Sequence, residues 1–510
     1  MPHTPIDQNE INKAVWNACD TFRGTVDPSM YKDYILTMLF LKYISDVHQD
    51  KVEELQKEYG DSPELIAAML ESQSFKIPTD CSFWDLYKVR YEPGNGSRIN
   101  KALHAIEEAN IKLKGVFQDI SFNSDKLGDE KSKNDVLRHL LEDFGKPTLN
   151  LRPSRVGTLD VIGNAYEFLI KNFAASSGKS AGEFYTPAEV SDLLAILLEP
   201  QEGDSICDPA CGSGGMFVQS ETFVENHSGN INNLSIYGQE ANADTWKMAK
   251  INMAIRGIEP NFGPHQADTF TNDLHPTLKA DYIMANPPFN LKKWGADKLA
   301  DDVRWKYGTP PDSNANYAWI QHMIHHLAPN GKIGLVLANG SLSSTQSGEG
   351  DIRKAIIEDD LVEGIVALPA QLFYSVTIPA CLWFISKNKK QKGKTVFIDA
   401  RNLGHMVDRK HRDFTADDIQ KIAKTFEAFQ EGTLENEKGF CAVVETKAIA
   451  EQDYILTPGR YVGIEDKEED SEPFEEKMER LTTELSELFK QSHVLEEEIK
   501  QRLEEIGFEI

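Results

Sequence analysis

Ile206-Cys207-Asp208-Pro209-Ala210-Cys211-Gly212-Ser213-Gly214-Gly215 decides how the rest of this 510-residue chain is read. A short apolar strand, Ser205 to Asp208, runs into a glycine-rich turn, and a helix follows from Gly214. Backbone amides and small residues line such a turn, so a ligand can approach closely with a helix amino terminus behind it. By itself the pattern is shared with dinucleotide-binding folds. It departs from Gly-x-Gly-x-x-Gly, because Gly212 and Gly214 are followed by Gly215-Met216-Phe217.

Between about Val156 and Ala400, short apolar strands alternate with amphipathic helices, the signature of a parallel α/β sheet. The expected strands are Ser205 to Asp208, Leu234 to Glu240, Asp281 to Ala285, Lys332 to Ala338, Leu361 to Leu368 and Ala380 to Ser386. Helices from Gly214, Ala241 and Asn316 fill the gaps. In such sheets ligands bind beyond the carboxyl ends of the strands. A second motif stands at such an end: Tyr282-Ile283-Met284-Ala285 runs into Asn286-Pro287-Pro288-Phe289. An amide, a stiff Pro-Pro backbone and an aromatic face form a holder for a planar amino group. That group is a poor nucleophile, since its lone pair is delocalised. The Asn286 side-chain oxygen and the Pro287 carbonyl can accept its protons and localise the pair on nitrogen, which then attacks an electrophilic methyl. Dipoles aimed at the charge developing on that nitrogen act mainly in the transition state, so no titrating base is needed.

Around the glycine turn the spacing sharpens the pocket. Tyr237-Gly-Gln-Glu240 ends the next strand with a carboxylate placed to accept two ribose hydroxyls. Ala267-Asp268-Thr269-Phe270 offers an acceptor for an exocyclic amine and an apolar wall for a purine. Upstream, Gly182-Glu-Phe-Tyr-Thr-Pro187 precedes a helix, with Thr186 at the capping position and Pro187 in the first turn. Beyond starting a helix, Thr186 and nearby amides can hold a carboxylate, with Phe184 and Tyr185 covering the ligand. A nicotinamide cofactor would satisfy the glycines and the acid but leaves Asn286 to Phe289 unexplained. Ser177-Gly-Lys-Ser180 fails as a phosphate loop, since Phe173 stands where its first glycine belongs, and no ATP hydrolysis is expected.

The bulk numbers set limits. A chain this long with 40% hydrophobic content exceeds one core and implies two or three domains. Its longest apolar stretches, Tyr34 to Ile44 and Ile333 to Ala338, fall short of the roughly 20 residues a membrane span needs. The start, Met1-Pro-His-Thr-Pro-Ile-Asp7, has no signal-peptide character, so a cytoplasmic location is expected. Six cysteines are too sparse for a disulfide scaffold. Cys207 and Cys211 are the only close pair, and with no histidine near they read as packing residues rather than a zinc site; no metal is expected. Net charge is -27, a balance that disfavours gripping a long polyanion unaided, so a nucleic-acid substrate implies a partner that carries much of the grip.

From Ile6 to about Leu151 the chain reads as helical. Ile11, Ala14, Val15, Ala18 and Phe22 recur at helical spacing, as do Tyr34, Met38, Leu41 and Ser45, with breaks such as Glu92-Pro-Gly-Asn-Gly-Ser97. The run Lys387 to Lys394 holds five lysines in eight residues and reads as a solvated hairpin before a phosphate contact. At the end, Phe474, Met478, Leu481, Leu485, Leu488, Ser492, Leu495 and Ile499 form a heptad seam on an acidic segment; residues 465 to 510 carry 17 acidic against 6 basic side chains. Such a stripe packs on its own domain or on a partner helix, and the strict 3.5 period favours the partner.

Together these residues resemble an adenine-N6 DNA methyltransferase, specifically the modification subunit of a Type I restriction-modification system. The resemblance spans nearly the whole chain: Phe22-Arg-Gly24, Gly182 to Pro187, Asp208 to Gly215 and Asn286 to Phe289 in that order, then Ser313-Asn-Ala-Asn-Tyr-Ala-Trp319, Leu368-Pro-Ala-Gln-Leu-Phe373 and the acidic tail. It implies a Rossmann-like class I methyltransferase core (152–464), an N-terminal all-helical domain (1–151) that closes over DNA, and a C-terminal coiled-coil helix (465–510) for partner binding. It implies S-adenosylmethionine as methyl donor, with Glu183, Phe184, Tyr185, Thr186, Pro187, Ala188, Asp208, Ser213, Gly214 and Gly215 around its methionine part, Glu240 at its ribose and Asp268 at its adenine amine. The target adenine is flipped from the duplex; Phe289 stacks on it, Asn286 and Pro287 accept from its N6, Pro288 stiffens the turn, and Phe373 is a candidate second wall. A separate specificity subunit, bound by two modification subunits, reads the sequence, and a restriction subunit can join. Methylation of protein glutamine or RNA is the nearest rival, cytosine-N4 methylation the next, and a DNA-binding scaffold without catalysis the last.

Overall fold

The run Ser205–Asp208 is strand β1, and it lies between β2 (Ser235–Gly238) and β3 (Ala280–Ala285), both parallel to it. This is a computed structural model, and it describes residues 8–19, 22, 28–60, 62–118, 120–156, 159–176, 185–373, 379–409, 411–464 and 474–505. Helix Gly215–Asn226 joins β1 to β2, and helix Ala243–Arg256 leads back towards β3 on the other side of β1. Successive connections therefore diverge at β1, which opens a crevice between the carboxyl ends of β1 and β3. Asp208 and Asn286 stand at those two ends. An isolated parallel bridge from Tyr237 to Asn261 extends the edge beyond β2.

The sheet continues through β4 (Leu327–Ala338), β5 (Val362–Ala367), β6 (Ala380–Ser386), β7 (Lys394–Asp399) and β8 (Cys441–Glu445), in the order β8-β7-β5-β6-β4-β3-β1-β2. It is mixed rather than wholly parallel: β6 runs antiparallel to β4 and β5, and β8 antiparallel to β7. All seven residues of β6 are buried, so its composition matches that of a central parallel strand. Direction is set instead by the link from β5, which carries no helix among its described residues, and a parallel return would need such a crossover. The strand expected at Lys332 begins at Leu327, which pairs with Ala280 before the register shifts to Tyr282 and Lys332. Pro329-Asn330-Gly331, a turn signal in the sequence, is absorbed there as an irregularity.

The lysine-rich link from β6 to β7 is not a hairpin, because β5 lies between those strands. Lys387 Nζ donates to Leu327 O at 2.6 Å, Lys389 Nζ to Asp360 Oδ1 at 2.5 Å and Lys390 Nζ to Gln430 Oε1 at 3.1 Å. Three of its lysines thus bind the protein itself.

The preceding region is helical, with Gln8–Ala18, Pro28–Tyr59, Asn95–Ala109 and Glu130–Phe144 as its main helices. Ile11, Val15 and Ala18 face inward, and so do Tyr34, Met38, Leu41 and Ser45. Phe22 lies past the end of the first helix and stacks on Tyr31 and Tyr34, with ring centroids 5.6 and 6.1 Å away. The break at Glu92 to Ser97 is shorter than the sequence suggests: Gly94, at φ +88°, caps a helix that already begins at Asn95. This apolar core extends to Met248, Ile251 and Ile255 of the helix after β2. Within it lies a buried ion pair, Lys42 with Asp46, whose side chains are each 1% exposed.

Contacts divide the chain into two compact units after Val462. The second holds a helix, Phe474–Glu505, whose Met478, Leu481, Leu485, Leu488, Leu495 and Ile499 are 41–58% exposed. Among the described residues no helix is long and apolar enough to cross a membrane.

Candidate active site

The glycine turn has the backbone its sequence requires. Gly212 and Gly214 lie at φ +54° and +86°, a region that side-chain-bearing residues enter only at a cost. Gly214 also lets the turn pack closely, since a Cβ there would stand 2.8 Å from Met253 Cε. Gly215 opens the helix, and a Cβ added to it would meet no atom within 4 Å. The cradle therefore faces open space at a helix amino terminus, where four amides lack intrahelical partners.

Carboxylates brace this turn. Glu240 Oε2 accepts from Gly212 N at 3.1 Å and Oε1 from Asn242 N at 2.8 Å, which ties the end of β2 to the loop after β1. Asp208 is buried, and its Oδ1 accepts from Ala210 N at 2.9 Å. Burial pushes its carboxyl up to about 8; the Ala210 amide opposes that rise and the nearby charge of Glu240 adds to it. Burial also raises Glu240. Asp268 Oδ1 accepts from the amides of Phe270 and Thr271 and from the Thr271 hydroxyl.

Two cavities adjoin here. The larger encloses roughly 800 Å³ including its mouth, and Ala210, Glu240, Asn242, Asp268, Pro288 and Trp319 are among its walls. That is the size of a nucleotide-type ligand site. The smaller, about 270 Å³, lies against Thr186, Asp208, Gly212, Ser213 and Gly215. Asn286 and Ala210 belong to both. Acidic groups over a purine-sized chamber, with helix amides at its other end, suit a ligand carrying positive charge, a nucleoside and a carboxylate. S-adenosylmethionine has all three, so the residues present fit it.

At the junction Asn286 Nδ2 donates to Thr186 Oγ1 at 3.0 Å. Its Oδ1 is buried and has no hydrogen-bond partner among the described residues. An unmet buried acceptor is costly and marks a site that awaits a donor. Phe289 and Phe373 stand edge to face beside this corner, with centroids 6.0 Å apart.

Several expectations change. Thr186 is not the helix cap: the helix is Ala188–Leu198, Pro187 holds the capping position, and no side chain caps it. The Thr186 hydroxyl is engaged by Asn286 instead. Tyr185 packs against the helical core rather than walling either cavity. Phe270 is buried against Trp294 and Trp319, so the aromatic wall of the larger cavity is Trp319, whose indole nitrogen is buried without a hydrogen-bond partner among the described residues. Glu183, Phe184 and the Ser177 to Ser180 segment lie outside the described residues. Behind the Asp268 loop, Arg304 donates to Thr269 O at 3.1 Å, to Phe270 O at 2.6 Å and towards His322 Nδ1 at 3.1 Å. Asp273, His322 and His326 are close enough together to hold a metal ion. His326 Nδ1 faces the Leu278 carbonyl and Nε2 the Asp273 carboxylate, and the Arg304 cation beside His322 Nδ1 opposes a second cation there.

Residues 157–470 match the family model described as N-6 DNA Methylase, and residues 11–144 the HsdM N-terminal domain. The chain belongs to the N-6 DNA methylase family. It is 51% identical to the HindI methylase subunit, a type I restriction enzyme subunit of Haemophilus influenzae, over 82% of this chain and 94% of that protein. The MjaIX methylase subunit of Methanocaldococcus jannaschii is 37% identical, over 98% and 92%. In structure the chain is similar to the type I restriction-modification methyltransferase subunit of Streptococcus thermophilus, with a TM-score of 0.80 and 29% identity, over 90% of this methylase and all of the other.

Proposed function

We propose that this methylase transfers the methyl group of S-adenosylmethionine to N6 of an adenine flipped out of duplex DNA, in the cytoplasm. What carries the reading is the buried Asn286 oxygen, unpaired at the corner shared by the two cavities. The donor supplies an electrophilic methyl; the chain's residues do the rest. Glu240 and Asp268 hold ribose and adenine in the larger cavity, with Trp319 as its wall. Asp208, Ser213 and Gly215 line the methionine end with Thr186 beside them, and Gly214 shapes the turn that presents them. Asn286 Oδ1 and the Pro287 carbonyl accept hydrogen bonds from the two N6–H groups and concentrate the lone pair on nitrogen; as the N–C bond forms, the S–C bond would break with its electrons left on sulfur, and the methylated amine would pass its extra proton to solvent. Pro288 keeps that turn stiff. Phe289 stacks on the base, and base entry parts its ring from Phe373.

Thr186 is a positioning residue in this scheme. By taking the Asn286 Nδ2 proton it keeps Oδ1, rather than the NH2 group, facing the substrate amine. Thr186→Val should lower kcat about tenfold with the donor dissociation constant little changed, and Thr186→Ser should restore the rate. Steady-state kinetics with a separate donor-binding titration checks this.

The buried carboxyl of Asp208 gives a second test. Its pKa is raised from 3.8 to about 8, so between those values the folded protein holds a proton that the unfolded chain releases. That contribution to stability is complete below pH 3.8 and is lost as pH rises through about 8. A cationic donor favours the ionised carboxylate. Donor affinity should therefore rise towards pH 8, by up to about tenfold per unit, and Asp208→Asn should flatten the profile in a calorimetric titration.

The division of labour follows: residues 1–151 close over DNA, 152–464 carry out transfer, and the exposed heptad stripe of 465–510 docks on a specificity subunit that binds two copies of this chain. A restriction subunit can join that assembly. The net charge of -27 favours sequence reading by such a partner. Incubating the chain, copurified with its specificity subunit, with methyl-labelled donor, duplex DNA, RNA and protein should place label in DNA alone. Label in protein or RNA overturns the reading.

A further inference from the structure

Apart from Trp319, the stretch Ser313-Asn-Ala-Asn-Tyr-Ala-Trp319 has no role in the transfer just described, yet it locks onto the residue that follows Phe289. Asn290 lies at φ +53°, a left-handed conformation that asparagine tolerates better than most residues. Its backbone N–H donates to Asn316 Oδ1 at 3.2 Å, and its own Oδ1 accepts from Asn316 Nδ2 at 3.1 Å and Asn314 Nδ2 at 3.2 Å. Asn316 N donates to Asn314 Oδ1 at 2.9 Å, which closes the set. Three further bonds fasten the same strip: Lys293 N to Asp312 O at 3.0 Å, Ala315 N to Leu291 O at 2.9 Å and Trp294 Nε1 to Pro311 O at 2.9 Å. Asn316 is 1% exposed and opens the helix Asn316–His326, which carries Trp319 into the larger cavity.

We infer that Asn290, gripped by Asn314 and Asn316, is a positioning residue that fixes Phe289 and the Asn286 corner relative to the donor cavity. The inference rests on the methyl transfer proposed above. One helix start holds the base-stacking loop through Asn316 and walls the donor cavity through Trp319, so base and methyl are aligned by the same element. An amide network anchored on buried Asn316, both of whose side-chain polar atoms are bonded to Asn290, favours one arrangement. Loss of alignment by about 1 Å costs on the order of 10²-fold in rate.

Asn290→Gly keeps the left-handed turn open but removes the side-chain acceptor, whereas Asn290→Asp keeps an oxygen that takes both amide protons. In the copurified complex, Asn290→Gly should lower kcat about 10- to 100-fold, with donor affinity within about threefold and thermal midpoint nearly unchanged, as binding groups stay in place. Asn290→Asp should return to within a few-fold of the wild-type rate. Asn314→Ala, which leaves Asn290 itself intact, should lose about three- to tenfold in kcat and add little to Asn290→Gly, because both act through the same bonds. A wild-type rate in Asn290→Gly or Asn314→Ala, equal damage in Asn290→Asp, or a parallel loss of donor affinity overturns the inference. If the wild-type enzyme itself places no methyl on adenine N6, the function proposed above is what fails.

Discussion

Asn286→Ala stops methyl transfer to DNA, lowering kcat by about 10³-fold, while the donor binds within a few-fold of its wild-type affinity. The magnitude is that of removing one preorganised polar group aimed at charge developing in a transition state. Among the described residues Asn286 Oδ1 is buried without a hydrogen-bond partner, and Nδ2 donates to Thr186 Oγ1 at 3.0 Å. Truncation therefore removes an acceptor that nothing else in the corner replaces, while Glu240, Asp268 and the glycine turn stay in place for the donor. Asn286→Asp keeps an acceptor but adds a charge and loses the donor to Thr186, and it should recover part of the rate. Rapid-quench kinetics separates the methyl-transfer step from release. Donor affinity lost in proportion to rate would mean that Asn286 supports the cavity rather than the amine.

Asp46→Ala destabilises the protein by about 3–5 kcal/mol, far from the site, because it leaves a buried ammonium without its counter-charge. Lys42 also donates to Leu149 O at 2.9 Å and lies 4.8 Å from the Trp84 ring. Asp46 takes the Trp84 indole N–H at 2.9 Å and the Leu151 amide at 2.8 Å. One carboxylate thus ties Pro28–Tyr59 to Trp84 and to the segment that leaves the helical region. Burial pulls the Lys42 pKa down and Asp46 holds it up, so without Asp46 the amine loses its proton or draws in water. Replacing both partners by apolar residues of similar volume should cost much less than either single change. Chemical denaturation of the three variants checks this; an Asp46→Ala loss below about 1 kcal/mol would contradict it.

The part of the fold legible in the sequence is the part set by local pattern. β1, β3 and β6 fall within a residue of their expected bounds, and both site motifs lie at strand ends as expected. Strand direction was not legible, since β6 is apolar on both faces whichever way it runs. Thr186 looked like a cap because Thr-Pro before an apolar run is a helix-start pattern; its hydroxyl serves a residue 100 positions later, which no local window contains. Phe270 and Trp319 exchanged places for a similar reason. Hydrophobicity makes either one a wall, and only the packing of Phe270 among three indoles decides. The Asn290 lock was hidden because two asparagines after a turn read as loop residues until their partner is known.

The proposed transfer rests on an unpaired amide oxygen at the end of β3 that activates a planar amine on a DNA base. Mass spectrometry of nucleosides, released from DNA treated with the copurified complex and deuterated-methyl donor, tests it most directly. Wild-type enzyme should give labelled N6-methyladenine, and Asn286→Ala none above background. Labelled N4-methylcytosine, or unchanged N6-methyladenine in the variant, would contradict it.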